Sequence, residues 1–151
     1  ADEVTYNLHV MLRYEIEKQL FNGDLAVKDL PNAWNTMFME WFGVEVPNDR
    51  LGCLQDIHWS MGAFGYFPTY TLGNLYAAQL LESMAEDLGD IDALVETGDW
   101  SPLLAWLRPR IHAEGSKMSP SELIEKATGS APSPDPFLRY VEDKYSRIYG
   151  L

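Results

Sequence analysis

The residues best suited to chemistry lie in one short segment, 52–70, which carries an imidazole at His58 and phenols at Tyr66 and Tyr70. A histidine and a tyrosine that point into one cleft are suitable donors to an oxyanion that develops during a reaction. Gln55 or Asp56 could fix the tautomer of the histidine through its second ring nitrogen. The segment therefore holds a candidate set of hydrogen-bond donors for an anionic transition state.

A simpler interpretation of the same segment is that His58 and Trp59 pack into a core that the tyrosines help to fill, and composition alone favours it. No self-contained catalytic or metal-binding motif decides the matter, because the sequence has no H-E-x-x-H, C-x-x-C, phosphate-binding glycine loop or G-x-S-x-G. The other two histidines, His9 and His112, are far away in sequence and are expected to be structural. We predict no metal ligands within this chain.

The elements that must position this segment are helices. Residues 44–70 lack helical periodicity and are rich in glycine, proline and aromatic residues, which predicts a long loop. Apolar residues at spacings of three and four, together with capping residues, predict helices at 4–20, 29–42, 71–88, 102–114, 120–128 and 136–149. Because no segment alternates with period two, the predicted fold class is all-α, with at least five helices.

Size and charge narrow the class of protein. A chain of 151 residues that is 46% hydrophobic and 23% charged has the composition of an ordinary soluble domain with one core. Its net charge of −12 repels phosphate backbones and anionic lipids, so we expect neither nucleic-acid nor membrane binding. The single cysteine, Cys53, is expected to be a buried thiol, and it suits a cytoplasmic location. The first residues lack a Met, which predicts a chain cut from a longer protein.

Three stretches and the chain end resemble one known family. The stretches are Ala1-Asp-Glu-Val-Thr-Tyr-Asn-Leu-His9, Gly52-x-x-Gln55-Asp56-x-His58-Trp59 and Phe64-Gly-Tyr-Phe-Pro-Thr-Tyr70-Thr-Leu-Gly-Asn74, followed by Ala127-Thr-Gly129 and Phe137-Leu-x-Tyr140-x-x-x-Lys144-Tyr145-x-x-x-Tyr149-Gly150-Leu151. The second stretch matches the motif G-x-x-Q-D-x-H-W at every fixed position. The chain resembles the C-terminal part of the carboxypeptidase Taq family of zinc metallocarboxypeptidases along its whole length.

The resemblance implies an all-helical, saddle-like fold of the gluzincin type with a deep groove, of which residues 1–151 would be the C-terminal helical region. It implies an enzyme that removes C-terminal residues from peptides with broad specificity. Its zinc would be held by an H-E-x-x-H motif and a downstream glutamate, all upstream of this chain. The isolated chain is therefore expected to be inactive.

The resemblance also implies roles for individual residues. His58 and Tyr70 would donate to the tetrahedral intermediate, with Tyr66 as the alternative phenol. Arg13 is a possible partner for the terminal carboxylate of the substrate, because a guanidinium binds carboxylates in a bidentate manner. Gln55 and Asp56 are the other expected substrate-binding residues.

Three kinds of partner are expected if the resemblance holds: peptide substrates, the N-terminal remainder of the enzyme, and a second copy of the chain in a homodimer. A cut through a larger enzyme would leave an apolar face exposed, which promotes association. The alternative is a non-catalytic helical module whose aromatic groove binds a peptide or another protein.

Overall fold

Seven α-helices follow one another in the computed structural model, which describes residues 2–151 and contains no β-strand in that range. They are α1 (Tyr6–Asn22), α2 (Leu30–Phe42), α3 (Pro68–Leu88), α4 (Ile91–Glu96), α5 (Ser101–Leu107), α6 (Pro120–Thr128) and α7 (Asp135–Tyr149). Short 3₁₀ turns occur at Val27–Asp29, Asp49–Leu51 and Trp59–Met61. The all-α prediction is confirmed.

Helix α1 begins two residues later than the sequence predicts. The Asp2 carboxylate accepts hydrogen bonds from the backbone N–H groups of Val4 and Thr5, both at 2.9 Å, and so holds the chain in a turn before the helix. The helix ends at Asn22 because Gly23 takes the left-handed conformation, with φ of 81°. Its 17 residues make slightly fewer than five turns.

Helices α1 and α2 enclose the first group of buried residues. Leu12, Ile16, Trp34 and Cys53 form one cluster with 4% exposure or less. Cys53 is a free, buried thiol, as predicted, and burial raises its pKa. The wide aromatic face of α2 packs on this cluster through Met37, Phe38, Trp41 and Phe42.

The loop between α2 and α3 is shorter than predicted, since α3 begins at Pro68 and not at Thr71. Proline is favoured in a first helical turn, where its missing N–H costs nothing. Tyr70 therefore lies on the first turn of a helix and not in the loop. Gly52 allows a close approach, because a Cβ there would lie 2.7 Å from Val46 Cγ1.

The helices after α3 follow the predicted order with two differences. The short α4 was missed; Asp90 caps it by accepting a hydrogen bond from the Ala93 N–H at 3.0 Å. The predicted helix at 102–114 is α5 followed by a wider π turn at Arg108–His112, a departure that fits the missing N–H of Pro109. Helix α6 begins with a capping box, in which Ser119 and Glu122 bond each other's backbone N–H.

The chain divides into two compact units, one extending through Leu72 and the other spanning Gly73–Leu151. Chain length alone favours one core, but each unit has buried apolar residues of its own. In the second unit these are Met84, Trp106 and Ile124.

Candidate active site

His58 is held between two oxygen atoms that lie on different elements of the first unit. Asp56 Oδ1 accepts a hydrogen bond from the His58 backbone N–H at 3.0 Å and contacts the ring nitrogen Nδ1. On the other side of the ring, Nε2 lies 2.9 Å from the Tyr70 hydroxyl on the first turn of α3. Of the two residues that could orient the imidazole, the structure places Asp56 and not Gln55 against it.

Arg13 on α1 engages the second oxygen of the same carboxylate. Its Nε donates to Asp56 Oδ2 at 2.9 Å, and its Nη1 donates to the backbone oxygen of His9 at 2.7 Å. The guanidinium lies over the rings of Trp34 and Phe67, at 4.9 and 5.5 Å from their centroids. The Arg13 side chain is only 13% exposed and that of Asp56 only 16%, so water screens this ion pair weakly.

The electrostatic consequence is a carboxylate that stays ionised and a phenol that stays protonated. Burial alone would raise the pKa of Asp56. The hydrogen bonds from the His58 backbone and ring, together with the Arg13 guanidinium, outweigh burial and lower that pKa below its ordinary value. The pKa of Tyr70 is raised by burial and by the nearby Tyr66, Tyr6 and Asp56. A single hydrogen-bonded network therefore links Arg13, Asp56, His58 and Tyr70.

Aromatic rings surround the imidazole. Phe67 packs on the His58 ring at a centroid distance of 4.7 Å, and Tyr70 meets it edge-on at 5.8 Å. Tyr66 stacks against it at 5.9 Å and is half exposed. Of the two phenols named from the sequence, Tyr70 makes the hydrogen bond to His58 and Tyr66 makes the ring contact.

These groups face an open cavity of about 390 Å³ within the first unit. It is lined by Tyr6, His9, Val10, Arg13, Gln55, Asp56, His58, Phe67 and Tyr70. The structure therefore brings five of the six predicted site residues to one cavity, while Tyr66 is not among the lining residues. Gln55 is exposed at its edge and makes no side-chain hydrogen bond within residues 2–151.

The α1 side of the cavity was missed from the sequence, with the exception of Arg13. Tyr6, His9, Val10 and Arg13 recur at spacings of three and four, so they share one helix face. That spacing was the available signal. His9 stacks on Phe42 at 4.3 Å, and burial together with the nearby Arg13 lowers its pKa.

The residues present do not fit a metal ion. No group of three or more His, Cys, Asp or Glu side chains within residues 2–151 is arranged to hold one. Both ring nitrogens of His58 are already engaged. Among the same residues, no helix combines the length and the apolar character needed to cross a bilayer.

Comparison with known proteins places this chain in a family. The sequence model of the carboxypeptidase Taq (M32) metallopeptidases matches residues 1–145. Thermostable carboxypeptidase 1 of Thermus thermophilus is 51% identical over 150 residues, which are 99% of this chain and 29% of that protein. Carboxypeptidase 1 of Bacillus subtilis is 44% identical over 151 residues, which are 100% of this chain and 30% of that protein.

A solved structure agrees in its backbone as well as its sequence. The crystal structure of the M32 carboxypeptidase from Deinococcus radiodurans R1 superposes with a TM-score of 0.95 at 41% identity, over 100% of this chain and 31% of that one. This chain spans about three tenths of the length of the curated relatives that it matches. The match along nearly the whole chain shows that it belongs to the carboxypeptidase Taq (M32) family of metallopeptidases.

Proposed function

We propose that this chain is the C-terminal part of a zinc carboxypeptidase, and that it supplies the donors that stabilise the oxyanion formed during peptide hydrolysis. The observation that carries the proposal is the bond between His58 Nε2 and the Tyr70 hydroxyl, at 2.9 Å, with the Asp56 carboxylate on the opposite ring nitrogen. Groups fixed before the reaction stabilise developing charge without reorganising at that moment.

The direction of this hydrogen bond depends on the charge of the imidazole. In the neutral ring, Nδ1–H donates to Asp56, and Nε2 accepts a hydrogen bond from the Tyr70 hydroxyl. In the protonated ring, Nε2–H donates to the phenol oxygen, and the Tyr70 O–H is released to donate to a substrate. Asp56 accepts from Nδ1–H in both forms of the ring. Tyr66 is the alternative phenol in this role.

The proposed substrates are peptides with a free C-terminus, accepted with broad specificity. Arg13 Nη2 makes no hydrogen bond within residues 2–151 and is the proposed donor to the terminal carboxylate. Gln55 could contact the bound peptide from the cavity edge, while Asp56 would act indirectly by holding Arg13 and His58. The cation–π contacts of Arg13 fix the guanidinium plane.

The zinc, in this proposal, is bound by residues outside this chain, and the isolated chain is inactive. The large exposed side chains of the first unit are proposed to pack on the remainder of the enzyme. Phe21 and Phe64, which are 66% and 46% exposed, form an edge-to-face pair at 5.2 Å that suits such a contact. A cytoplasmic homodimer completes the proposal.

The test of the donor roles uses the full-length enzyme that contains this chain. We expect His58→Ala to lower kcat by roughly 10²–10³-fold with little change in KM, because the Tyr70 hydroxyl loses the imidazole that orients it as a transition-state donor. Tyr70→Phe removes only a hydroxyl and should act in the same direction. His112→Ala and Tyr76→Phe are the matched controls, since both positions lie outside the cavity, and both should retain normal turnover.

Two outcomes would overturn the assignment. Loss of bound metal in either variant would make that residue a ligand and not a donor. Normal turnover in both variants would mean that the ring cluster serves packing alone. Metal content and the kinetic constants are therefore measured on the same preparations.

The proposed contact with the rest of the enzyme has its own test. The isolated chain should bind a hydrophobic dye and self-associate in light scattering, and the separately expressed remainder should suppress both. Replacing Phe21 and Phe64 together with Ser should reduce the dye signal. A strictly monomeric chain that binds no dye would contradict this contact.

A further inference from the structure

We propose that Glu17 is a positioning residue that sets the loop carrying His58, an inference that rests on the proposed function. Glu17 lies on α1 and is only 4% exposed. Its Oε1 accepts a hydrogen bond from Trp59 Nε1–H at 2.9 Å, and its Oε2 accepts one from the Gly65 backbone N–H at 3.0 Å. One carboxylate thus joins two points of the loop that are six residues apart.

Glu17 works alongside Arg13, which lies one helical turn before it. Arg13 holds Asp56, two residues before His58, while Glu17 holds Trp59, the residue after it, and Gly65 further along. Side chains four residues apart project from the same face of a helix. The α1 helix therefore fixes the loop on both sides of the imidazole through two side chains of opposite charge.

The chemistry of the site calls for a carboxylate. Both loop groups are donors, and an ionised carboxylate is the side chain that offers two acceptor oxygens and no donor. Within residues 2–151, no Lys, Arg or His forms an ion pair with Glu17, so the two loop N–H groups are its compensation for burial. Gly65 has φ of 74°, a backbone conformation that favours glycine.

The path from Glu17 to the imidazole runs through packed rings. The Trp59 indole meets Trp34 edge-on at 6.0 Å and Phe67 edge-on at 6.2 Å. Phe67 in turn contacts the His58 ring at 4.7 Å. Displacing the indole would shift the wall against which the imidazole rests, and displacements of about 1 Å from a productive geometry can reduce turnover about 10²-fold.

The discriminating variant is Glu17→Gln in the full-length enzyme. The amide keeps the shape of the side chain, but its NH₂ group must face one of the two buried N–H donors. We expect kcat to fall by about 10–100-fold while KM and metal content stay near wild type. Glu15→Gln is the matched control on the same helix, because Glu15 is 38% exposed and, among residues 2–151, pairs with Lys18 alone; its turnover should not change.

A readout independent of activity accompanies the kinetics. Backbone amides in the peptide 57–67 should exchange with deuterium faster in Glu17→Gln than in wild type, because the Gly65 N–H or the indole loses its acceptor. Unchanged exchange in this peptide, or lower thermal stability with normal kcat, would overturn the positioning role.

A second variant tests the partner directly. Trp59→Phe removes the indole donor, so when it is combined with Glu17→Gln the new amide no longer faces an indole N–H and its oxygen can accept from Gly65. The double variant should turn over no more slowly than Glu17→Gln alone. If the fold-losses of kcat in the two single variants multiply in the double variant, Glu17 and Trp59 act independently and the proposed coupling between them is wrong. If His58→Ala has a lower kcat and Glu17→Gln a normal one, only the positioning role of Glu17 is refuted. If His58→Ala itself has a normal kcat, the proposed function is refuted.

Discussion

The two units of the chain each contain a cavity whose lining includes an arginine and a carboxylate, and the two cavities use these groups in different ways. The cavity of the first unit, about 390 Å³, is lined by the hydrogen-bonded network of Arg13, Asp56, His58 and Tyr70. The cavity of the second unit, about 290 Å³, is lined by Gln79, Glu82, Ser83, Glu86, Thr128, Ser130, Ala131, Ser133, Asp135, Pro136 and Arg139. The presence of an arginine and a carboxylate in a cavity lining therefore does not by itself distinguish a candidate active site.

The arginine–carboxylate pairs show the difference most clearly. Arg139 and Glu82 form a two-point ion pair at 3.0 and 2.9 Å, with side chains 56% and 44% exposed. Arg13 and Asp56 are 13% and 16% exposed, and the carboxylate is shared with an imidazole. Arg139 and Glu82 bond each other at a largely exposed site, whereas the carboxylate of the Arg13–Asp56 pair also orients an imidazole.

The buried polar side chains of the two units also differ in what they hold in place. Gln79 is 4% exposed, and its amide is used entirely on Thr128 and the backbone of 130–133. It fixes the connection between α6 and α7. In the first unit, Glu17 and Asp56 fix a loop whose histidine faces a cavity. Buried polar groups therefore indicate function when the group that they hold remains open to a ligand.

The largest expected effect is that of Asp56→Asn in the full-length enzyme. The amide cannot match the carboxylate in holding the Nδ1–H tautomer of His58, and it leaves Arg13 without an ionic partner. We expect kcat to fall by roughly 10²–10⁴-fold, the scale seen when an orienting carboxylate loses its charge. Steady-state kinetics with a peptide substrate measures this.

The matched control for that variant is Asp87→Asn in the second unit. Asp87 accepts hydrogen bonds from Trp106 Nε1 at 2.7 Å and from Arg110 at 3.0 Å, so it also joins an aromatic residue and an arginine. It should alter stability and leave kcat unchanged. Equal losses of turnover in the two variants would remove the distinction between the units.

The next effect is on stability alone. Gln79→Ala removes the buried amide that bonds Thr128 and the backbone of 130–133, and losing these hydrogen bonds should lower the local free energy of unfolding by about 1–3 kcal/mol. Hydrogen exchange of the Ser133 amide measures it, with Glu86→Ala, an exposed residue of the same cavity, as the control. If Gln79→Ala is fully folded and still has a lower kcat, the second cavity has a catalytic role, which contradicts the distinction drawn between the two cavities.

The pH dependence of stability should differ between wild type and Asp56→Asn. Because the pKa of Asp56 is lower in the folded state, the unfolded state binds more protons between the two values. The stabilising contribution is complete above the ordinary aspartate pKa, and it is lost as pH falls through the lower folded value. Urea unfolding of both proteins from neutral to acidic pH should show their difference shrinking only in acid. A difference that disappears near neutral pH would contradict the ion pair.

Local signals account for the parts of the fold that the sequence predicted well. Helix α2 ends at Phe42 because Gly43 takes a φ of 65°, and α6 begins where Ser119 and Glu122 cap each other. These signals lie within a few residues of the boundary, so sequence alone reveals them. Helix α4 was missed because six residues between two glycines give too short a stretch for periodicity.

The candidate site was only partly predictable, for a related reason. His58, Asp56 and Tyr70 lie within one segment, and their combination is visible in the sequence. The hydrogen bonds of Glu17 span 42 and 48 residues, and that between Arg13 and Asp56 spans 43. No local pattern encodes which loop donor meets which helix acceptor, because that depends on how α1 packs against the loop.

The smallest expected effect is that of breaking the exposed pair of the second unit. Arg139→Gln should change the free energy of unfolding by about 0.2–1 kcal/mol, because exposed ion pairs gain little over their hydrated partners. The change should shrink further as salt is raised. Arg13→Gln, which leaves Asp56 buried without a cation, should cost more and should depend less on salt, since water screens that pair weakly. Urea unfolding of both variants at low and high salt makes the measurement. Equal costs with equal salt dependence would mean that burial does not distinguish the two pairs.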